Sequence, residues 1–485
     1  MSQAVIDDAP LMLSVSGARG IVGRSMTPAA AARFAGHWTA RLREVSGEAA
    51  PLLCLGRDGR PSGASLAAAA TAGILAAGGR VLDLGVVATP TVGFTVVRRG
   101  AAGGLVVTAS HNPKEWNGLK ALDGRGAAPP AEVAAVLVER FRAGDPEWAG
   151  VDDLGSVPEA VPGATVDHVA AVLGLVDADA IRAAGLTVVL DSVNGAGAEG
   201  GRRLLEALGC TVIHLHGEPT GRFGRMPEPI REHLGGLCEA VREHRAACGF
   251  AQDPDADRLA LVDERGEYPG EECTLALCVR ERLGAPGVDP GSSLLAANLS
   301  TSRMIDDVAA AAGAPPVRRT PVGEANVVAA LVDAEARGAG VPLVGGEGNG
   351  GVILPAVCWV RDSLSSMAMV LSLLVREGRP LSALVGELGG YAMVKEKLDV
   401  AGVGGREAIP GILDRTAAAF AGDVDEAWVL DRQDGVRVDR TGDDAAWVHV
   451  RPSNTEPILR IIAEAGTAAR ARALVERVRG IVNAG

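Results

Sequence analysis

Four short segments carry residue types that do chemistry when brought together. The first runs Thr108-Ala109-Ser110-His111-Asn112-Pro113, followed by Asn117-Gly118-Leu119-Lys120. A serine after a β-branched run, with small neighbours and a proline beyond it, is placed as an exposed nucleophile. No G-x-S-x-G elbow surrounds it, and an extended chain would point His111 away from Ser110, so a hydrolase triad is not indicated. Taken alone, the segment reads equally well as a Ser/Asn/Pro turn whose hydroxyl bonds its own backbone. The second is Asp253-Pro254-Asp255-Ala256-Asp257-Arg258. On an extended loop, carboxylates at i, i+2 and i+4 project to one side as a hard-oxygen cage for Mg²⁺ or Ca²⁺. Glu264 falls where an EF-hand has its last ligand, but Arg258 stands where the turning glycine must be and strands flank the loop. The alternative is a solvated acidic turn, although three neighbouring aspartates repel one another without a cation. Mg²⁺ is favoured, because three monodentate ligands leave positions for water and a phosphate oxygen.

The third segment, Gly346-Glu347-Gly348-Asn349-Gly350-Gly351, satisfies G-x-G-x-x-G, but VILP follows where a dinucleotide-binding helix would begin. Glu347 and Asn349 on a glycine backbone suit the bridging of vicinal hydroxyls; in isolation the segment is an ordinary glycine turn. The fourth, Arg451-Pro452-Ser453-Asn454-Thr455-Glu456-Pro457, offers a cation, two hydroxyls, an amide and backbone N–H groups, a phosphate cradle without a helix. Its alternative is an Asx/Ser turn closed by proline. Together the four imply phosphoryl transfer on a phosphorylated sugar. No G-x-x-x-x-G-K-[ST] occurs to bring a nucleotide, so the phosphate must be carried on the protein, with Ser110 as its bearer.

The elements that must position these loops alternate along the chain. PLLCL (51–55), RVLDLG (80–85) and GGLVVT (103–108) are strand-like and separated by helical stretches such as the Ala-rich 65–77. The pattern recurs in LTVVLD (186–191), CTVIHLH (210–216), ACGFAQ (247–252), SSLLAANLS (292–300) and VPLVGG (341–346), which predicts parallel βαβ units. In open α/β sheets ligands bind beyond the carboxyl ends of the strands, where these loops fall. After about residue 390 the style changes. AWVLDRQDGVRVDR (427–440) predicts an Asp-Gly hairpin, and AWVHVRP (446–452) with helical 467–482 completes an α+β unit. Boundaries near 158–162, 267–271 and 376–391 give four units: 1–158 with the serine loop, 159–269 with the acidic loop, 270–385 with the glycine loop and 386–485 with the phosphate cradle.

The chain has 485 residues with a formal charge of −13, 47% hydrophobic and 3% aromatic residues. That composition suits a folded protein of several domains and argues against a general nucleic-acid binder, which needs basic surface and stacking platforms. Seven scattered cysteines without a C-x-x-C pair indicate neither a disulfide framework nor a zinc site. The acidic start and the absence of a span-length apolar run predict a soluble, cytoplasmic protein with no membrane partner; MAMVLSLLV (367–375) reads as a buried helix.

With these motifs in order over nearly the whole length, the chain resembles the α-D-phosphohexomutases, the superfamily of phosphoglucomutase, phosphomannomutase and phosphoglucosamine mutase. Ser16-Gly17-Ala18-Arg19-Gly20 and Gly56-Arg57-Asp58 are similar to its first-domain pattern. The resemblance implies three related α/β domains with mixed sheets and a C-terminal α+β domain of TATA-binding-protein-like type, around a central cleft. It implies a phosphoserine at Ser110 and one Mg²⁺ per chain, held by Asp253, Asp255, Asp257 and that phosphate. Lys120 and His111 would transfer protons, and Arg19 and Arg258 would steer phosphate. Glu347 and Asn349 would bind sugar hydroxyls; Arg451, Ser453, Asn454 and Thr455 would grip the non-reacting phosphate. The partner would be a small phosphosugar with a sugar 1,6-bisphosphate as activator, and the chain a monomer or homodimer. Two departures stand out: Pro254 where glycine is usual, and Asn349 and Gly351 where many members have Ser and His. The GEGNGG form and Ala109 resemble members assigned to glucosamine phosphate.

Overall fold

Three successive stretches of the chain build sheets on one plan and a fourth builds a different one. The computed structural model describes residues 10–15, 17–156, 158–400, 402, 405–422, 428–442, 444–453 and 458–483. The first sheet contains β1 (Met12–Ser14), β2 (Gly17–Ile21), β3 (Leu52–Arg57), β4 (Arg80–Val86), β5 (Gly103–Val107), β6 (Trp116–Leu122) and β7 (Glu159–Ala160), in the order β1-β2-β6-β5-β3-β4-β7. The second contains β8 (Thr187–Asp191), β9 (Thr211–Leu215), β10 (Cys248–Gln252) and β11 (Leu259–Asp263), ordered β11-β10-β8-β9. The third contains β12 (Ser293–Asn298), β13 (Arg318–Thr320), β14 (Val341–Glu347) and β15 (Gly351–Ile353), ordered β13-β12-β14-β15.

Inside each unit the expected parallel pairing is present: β3 with β4 and β5, β8 with β9 and β10, β12 with β13 and β14. It stops at the last strand, because β6, β11 and β15 return antiparallel to β5, β10 and β14. The physical reason is length. The connections 108–115, 253–258 and 348–350 are shorter than the dozen or so residues a parallel crossover needs, so the chain must reverse. The sheets are therefore mixed, and the turns of the three reversals are the serine, acidic and glycine loops.

The fourth sheet is wholly antiparallel: β16 (Ala392–Asp399), β17 (Val429–Asp431), β18 (Val436–Arg440), β19 (Ala446–Pro452) and β20 (Ile458–Ala465), ordered β16-β20-β19-β18-β17. The expected hairpin forms between β17 and β18, turning through Gly435 at φ 74. Helices Gly405–Ala421 and Ala468–Asn483 share one core with it.

Helix Ser363–Glu377, the apolar run of the sequence, starts where Asp362 accepts the N–H groups of Leu364 and Ser365 and stops at Gly378 with φ 62. Its buried Leu364, Met367 and Leu371 join one core shared by the second and third units, so those two sheets are fixed to each other by apolar packing. No helix among the described residues is long and apolar enough to cross a membrane, and the seven cysteines are free.

Candidate active site

Each of the three turns bends at one left-handed residue: Ser110 at φ 51, Ala256 at φ 56 and Gly350 at φ 82. Glycine adopts that conformation freely, whereas a residue with a Cβ gives up roughly 1–2 kcal/mol. Contacts must therefore hold Ser110 and Ala256 in place. At Ser110 the holder is Arg60. Its Nη2 donates to the carbonyls of Ser110 (2.6 Å) and Asn112 (2.7 Å), its Nη1 to those of Pro113 (2.7 Å) and Trp116 (3.0 Å), and its Nε to Asp58 Oδ2 (3.0 Å). Asp58 also accepts from Thr108 Oγ1 (2.7 Å), which in turn accepts the Ser110 N–H (2.9 Å). A fully buried ion pair thus clamps the loop from below.

The bend overturns one expectation. The chain is not extended at Ser110, and His111 turns toward the serine, its Nδ1 3.3 Å from Ser110 Oγ. The acidic loop is not extended either; it closes through the left-handed Ala256 with its N–H donating to the Asp253 carbonyl (3.0 Å). Even so, a carboxylate oxygen from each of Asp253, Asp255 and Asp257 lies within 4.8 Å of the others, all three residues buried.

Ser110 Oγ, 1% exposed, donates to Asp253 Oδ2 across the first and second units (3.1 Å). Lys120 Nζ donates to Asp255 Oδ2 (2.6 Å) and Asp257 Oδ2 (2.8 Å). Thr89 adds its hydroxyl to Asp255 Oδ2 (2.8 Å) and its N–H to the Asp255 carbonyl (2.9 Å). Asp255 Oδ1 and Asp257 Oδ1 are buried without a hydrogen bond. Orphaned carboxylate oxygens are costly in a dry interior, and with Asp253 and the adjacent hydroxyl they form the hard-oxygen set that a divalent cation takes. The residues fit such an ion.

Charge in the site follows from burial and partners. Burial, then the neighbouring Asp257 and Asp255, pushes the Asp253 carboxyl well above its ordinary range. Burial would raise Asp257 too, but Arg361 and Lys120 hold it well below that range. Burial works against the Lys120 ammonium, yet Asp255 and Asp257 outweigh it and raise its pKa. His111 is lowered well below its ordinary value by burial and by the cations Arg258 and Arg19, so its ring is neutral at neutral pH.

Above this cluster lies a cavity of about 480 Å³, a size suited to a small ligand, lined from all four units. Arg19 donates to Asn112 Oδ1 (3.3 Å), and Arg258 Nη1 lies 3.7 Å from Glu228. In the third unit Glu347 accepts from Asn298 Nδ2 (2.8 Å) and Arg361 Nη1 (2.6 Å), while Asn349 Oδ1 accepts the Gly351 N–H (3.2 Å). In the fourth, Arg451 pairs across the ladder with Arg460, and both line the cavity with Ser453. Asn454 and Thr455 lie outside the described residues. Six cations, Arg19, Lys120, Arg258, Arg361, Arg451 and Arg460, face two carboxylates, Glu324 and Glu347. The negative charge of the chain is reversed locally, as an anionic ligand requires.

Arg60, Thr89, Arg361 and Arg460 belong to this arrangement without a motif of their own. The nearest signals were Asp58-Gly59-Arg60, an acid beside an arginine at a strand end, and Arg460, opposite Arg451 once the β19–β20 register is known. Arg361 sits in WVRD (359–362), which looks like an ordinary helix start.

Four models of the phosphoglucomutase/phosphomannomutase family match in chain order: alpha/beta/alpha domain I over residues 12–147, domain II over 166–266, domain III over 271–390 and the C-terminal domain over 396–481. The chain is 39% identical to a protein named probable phosphoglucosamine mutase from Methanopyrus kandleri, over 96% of either chain. It is 35% identical to one named phosphoglucomutase/phosphomannomutase from Thermococcus kodakarensis, over 95% of this chain and 96% of that one. Among solved structures, a phosphoglucomutase/phosphomannomutase family protein from Burkholderia thailandensis superposes with a TM-score of 0.80 at 26% identity, covering 98% of both chains.

Proposed function

Because the chain belongs to the phosphoglucomutase/phosphomannomutase family and is a phosphohexomutase, we propose that it interconverts glucosamine 6-phosphate and glucosamine 1-phosphate through a phosphoserine at Ser110. The observation that carries the serine is its hydrogen bond to Asp253 within the acidic cluster, next to the His111 and Lys120 side chains that line a cationic cavity. Glucosamine is supported by the GEGNGG loop and by the M. kandleri relative's name. A second reading, glucose or mannose phosphate, is favoured by the T. kodakarensis relative's name.

The chemistry follows from where the charges lie. The sugar hydroxyl attacks phosphorus, the bond from phosphorus to Ser110 Oγ breaks, and a sugar 1,6-bisphosphate forms. The proton lost by the attacking hydroxyl needs a base, and the serine oxygen needs a proton back. Neutral His111, which lines the cavity and has Nδ1 beside Ser110 Oγ, is placed to take the first proton and, as the imidazolium so formed, to give one to the serine oxygen. Lys120, kept protonated by two aspartates, offsets negative charge as the phosphoryl group moves. Mg²⁺ held by Asp253, Asp255, Asp257 and the phosphate on Ser110 would supply further charge neutralisation. Return of the other phosphate to Ser110 requires the bisphosphate to turn over. Arg451, Arg460 and Ser453 provide an anchor that either phosphate can occupy while Glu347 and Asn349 read the ring hydroxyls.

The test is a side-by-side kcat/KM for glucosamine, glucose and mannose phosphates with Mg²⁺ and catalytic sugar 1,6-bisphosphate. A strong preference for glucosamine supports the proposal. Comparable or faster turnover of glucose or mannose phosphate replaces it with the second reading, and inactivity on all three removes both.

A further inference from the structure

Gly351 and Arg361 compete for one space. Gly351 opens β15 with a φ outside the left-handed region, so its backbone does not call for glycine. A Cβ at that position would lie 2.2 Å from Arg361 Cδ and 3.1 Å from its Cγ, with Asn349 Oδ1 at 3.0 Å. The glycine is explained by the arginine stem that fills the place of its side chain. The two segments are held in that relation by an isolated antiparallel bridge between Ile353 and Arg361.

Seated there, Arg361 is buried, and its guanidinium reaches both the glycine loop and the acidic loop. Nη1 donates to Glu347 Oε2 (2.6 Å) and Nη2 to Asp257 Oδ2 (2.6 Å), while Nε lies 3.4 Å from Glu324. Its backbone N–H donates to Glu324 Oε1 (2.9 Å). One rigid fork thus ties the carboxylate of the glycine loop, which lines the cavity, to an aspartate of the acidic cluster, each held through a different arm. Asn298 holds the other oxygen of Glu347, so the carboxylate has its direction set by two donors and keeps lone pairs for the cavity. A lysine offers a single ammonium point and cannot reproduce the fork.

We propose that Arg361 is the positioning residue of the sugar loop: it fixes Glu347 relative to the acidic cluster, so that discrimination between hexose phosphates differing at one ring carbon depends on it. This rests on the phosphosugar reading. The role is distinct from phosphate steering, because the two hydrogen-bonding arms are committed to carboxylates.

The experiment compares the full-length protein with Arg361→Lys and Arg361→Gln, using steady-state kinetics on glucosamine, glucose and mannose phosphates with Mg²⁺. KM for the best substrate is expected to rise about tenfold or more, with kcat changing less and the kcat/KM ratio between best and next-best substrate falling severalfold. Lysine should be milder than glutamine. KM and ratio within about twofold of the unaltered protein overturn the proposal. Where these variants fail to fold, Gly351→Ala displaces the arginine without removing its charge. The same rise in KM and loss of ratio are expected, and unchanged values overturn it. An unaltered protein inert on every hexose phosphate overturns the functional reading and this proposal with it; an active one with indifferent variants overturns this proposal alone.

Discussion

Ser110 is buried, left-handed at φ 51 and bonded to Asp253, a state that surroundings must enforce. Ser110→Ala is expected to abolish turnover while leaving the thermal midpoint nearly unchanged, read by coupled assay and calorimetry; substantial residual mutase activity would remove the phosphoserine. Asp255 leaves Oδ1 unpartnered in the acidic cluster. Asp255→Asn should lower kcat by at least about tenfold and raise the Mg²⁺ concentration for half-maximal rate, since a neutral amide is a weaker ligand for a hard cation. An unchanged Mg²⁺ titration would make the cluster a mere turn. Both were legible as candidates, Ser110 from its place after a strand and Asp255 from the i, i+2, i+4 run of carboxylates, and the fold brings them together. Arg60 and Arg361 were not. Each takes its meaning from partners that the fold supplies, four loop carbonyls in one case and carboxylates from two units in the other.

At the scale of elements, the three reversals are what place the chemistry, and their supports can be tested separately. Removing the Arg60 guanidinium, as in Arg60→Met, strands Asp58 as a buried unpaired carboxylate; denaturant unfolding should show a loss of about 3–5 kcal/mol. The glycine loop rests on Glu272, whose Oε2 would lie 2.0 Å from a Cβ on Gly348 and accepts the Ser302 N–H (2.9 Å). Burial pushes this carboxyl up from 4.5 to about 7, against the pull of Lys395. Between pH 4.5 and 7 the folded protein keeps a proton that the unfolded chain has released. Its contribution is therefore full at low pH and is lost as pH rises through that window, on the order of 3 kcal/mol. Glu272→Gln should flatten that fall in pH-dependent unfolding; an identical profile would show that Glu272 ionises normally. The loops' position at strand ends was legible, but the antiparallel sense of β6, β11 and β15 was not visible in their apolar pattern. Buried strands read alike in either direction, and only the shortness of the turns decides.

For the whole molecule, the fourth unit has its own apolar core and meets the third through polar contacts. These include Arg303 Nη1 to the Arg440 carbonyl (2.7 Å), Ser300 with His449 (2.9 Å) and the Val322 N–H to Asp434 (3.0 Å). An interface of that kind permits motion, unlike the shared core that joins the second and third units. Adding hexose phosphate with Mg²⁺ should lower the radius of gyration in small-angle scattering as Arg451 and Ser453 close on the phosphate; no change would mean that the cavity is already closed. The succession of three α/β units and one α+β unit was legible from the alternation of β-branched and helical stretches and from its change near residue 390. The cavity among them was not, because Arg19, Arg258, Arg361 and Arg451 come from four separate stretches of chain. What joins all scales is the claim that Ser110 carries the phosphate that moves. The most direct measurement is peptide mass mapping of the protein after sugar 1,6-bisphosphate and Mg²⁺, then again after excess hexose monophosphate depleted of bisphosphate. One phosphoryl group on Ser110 that passes to the sugar is the predicted result. A mutase that turns over with Ser110 unmodified throughout, or with the phosphate on another residue, would contradict it.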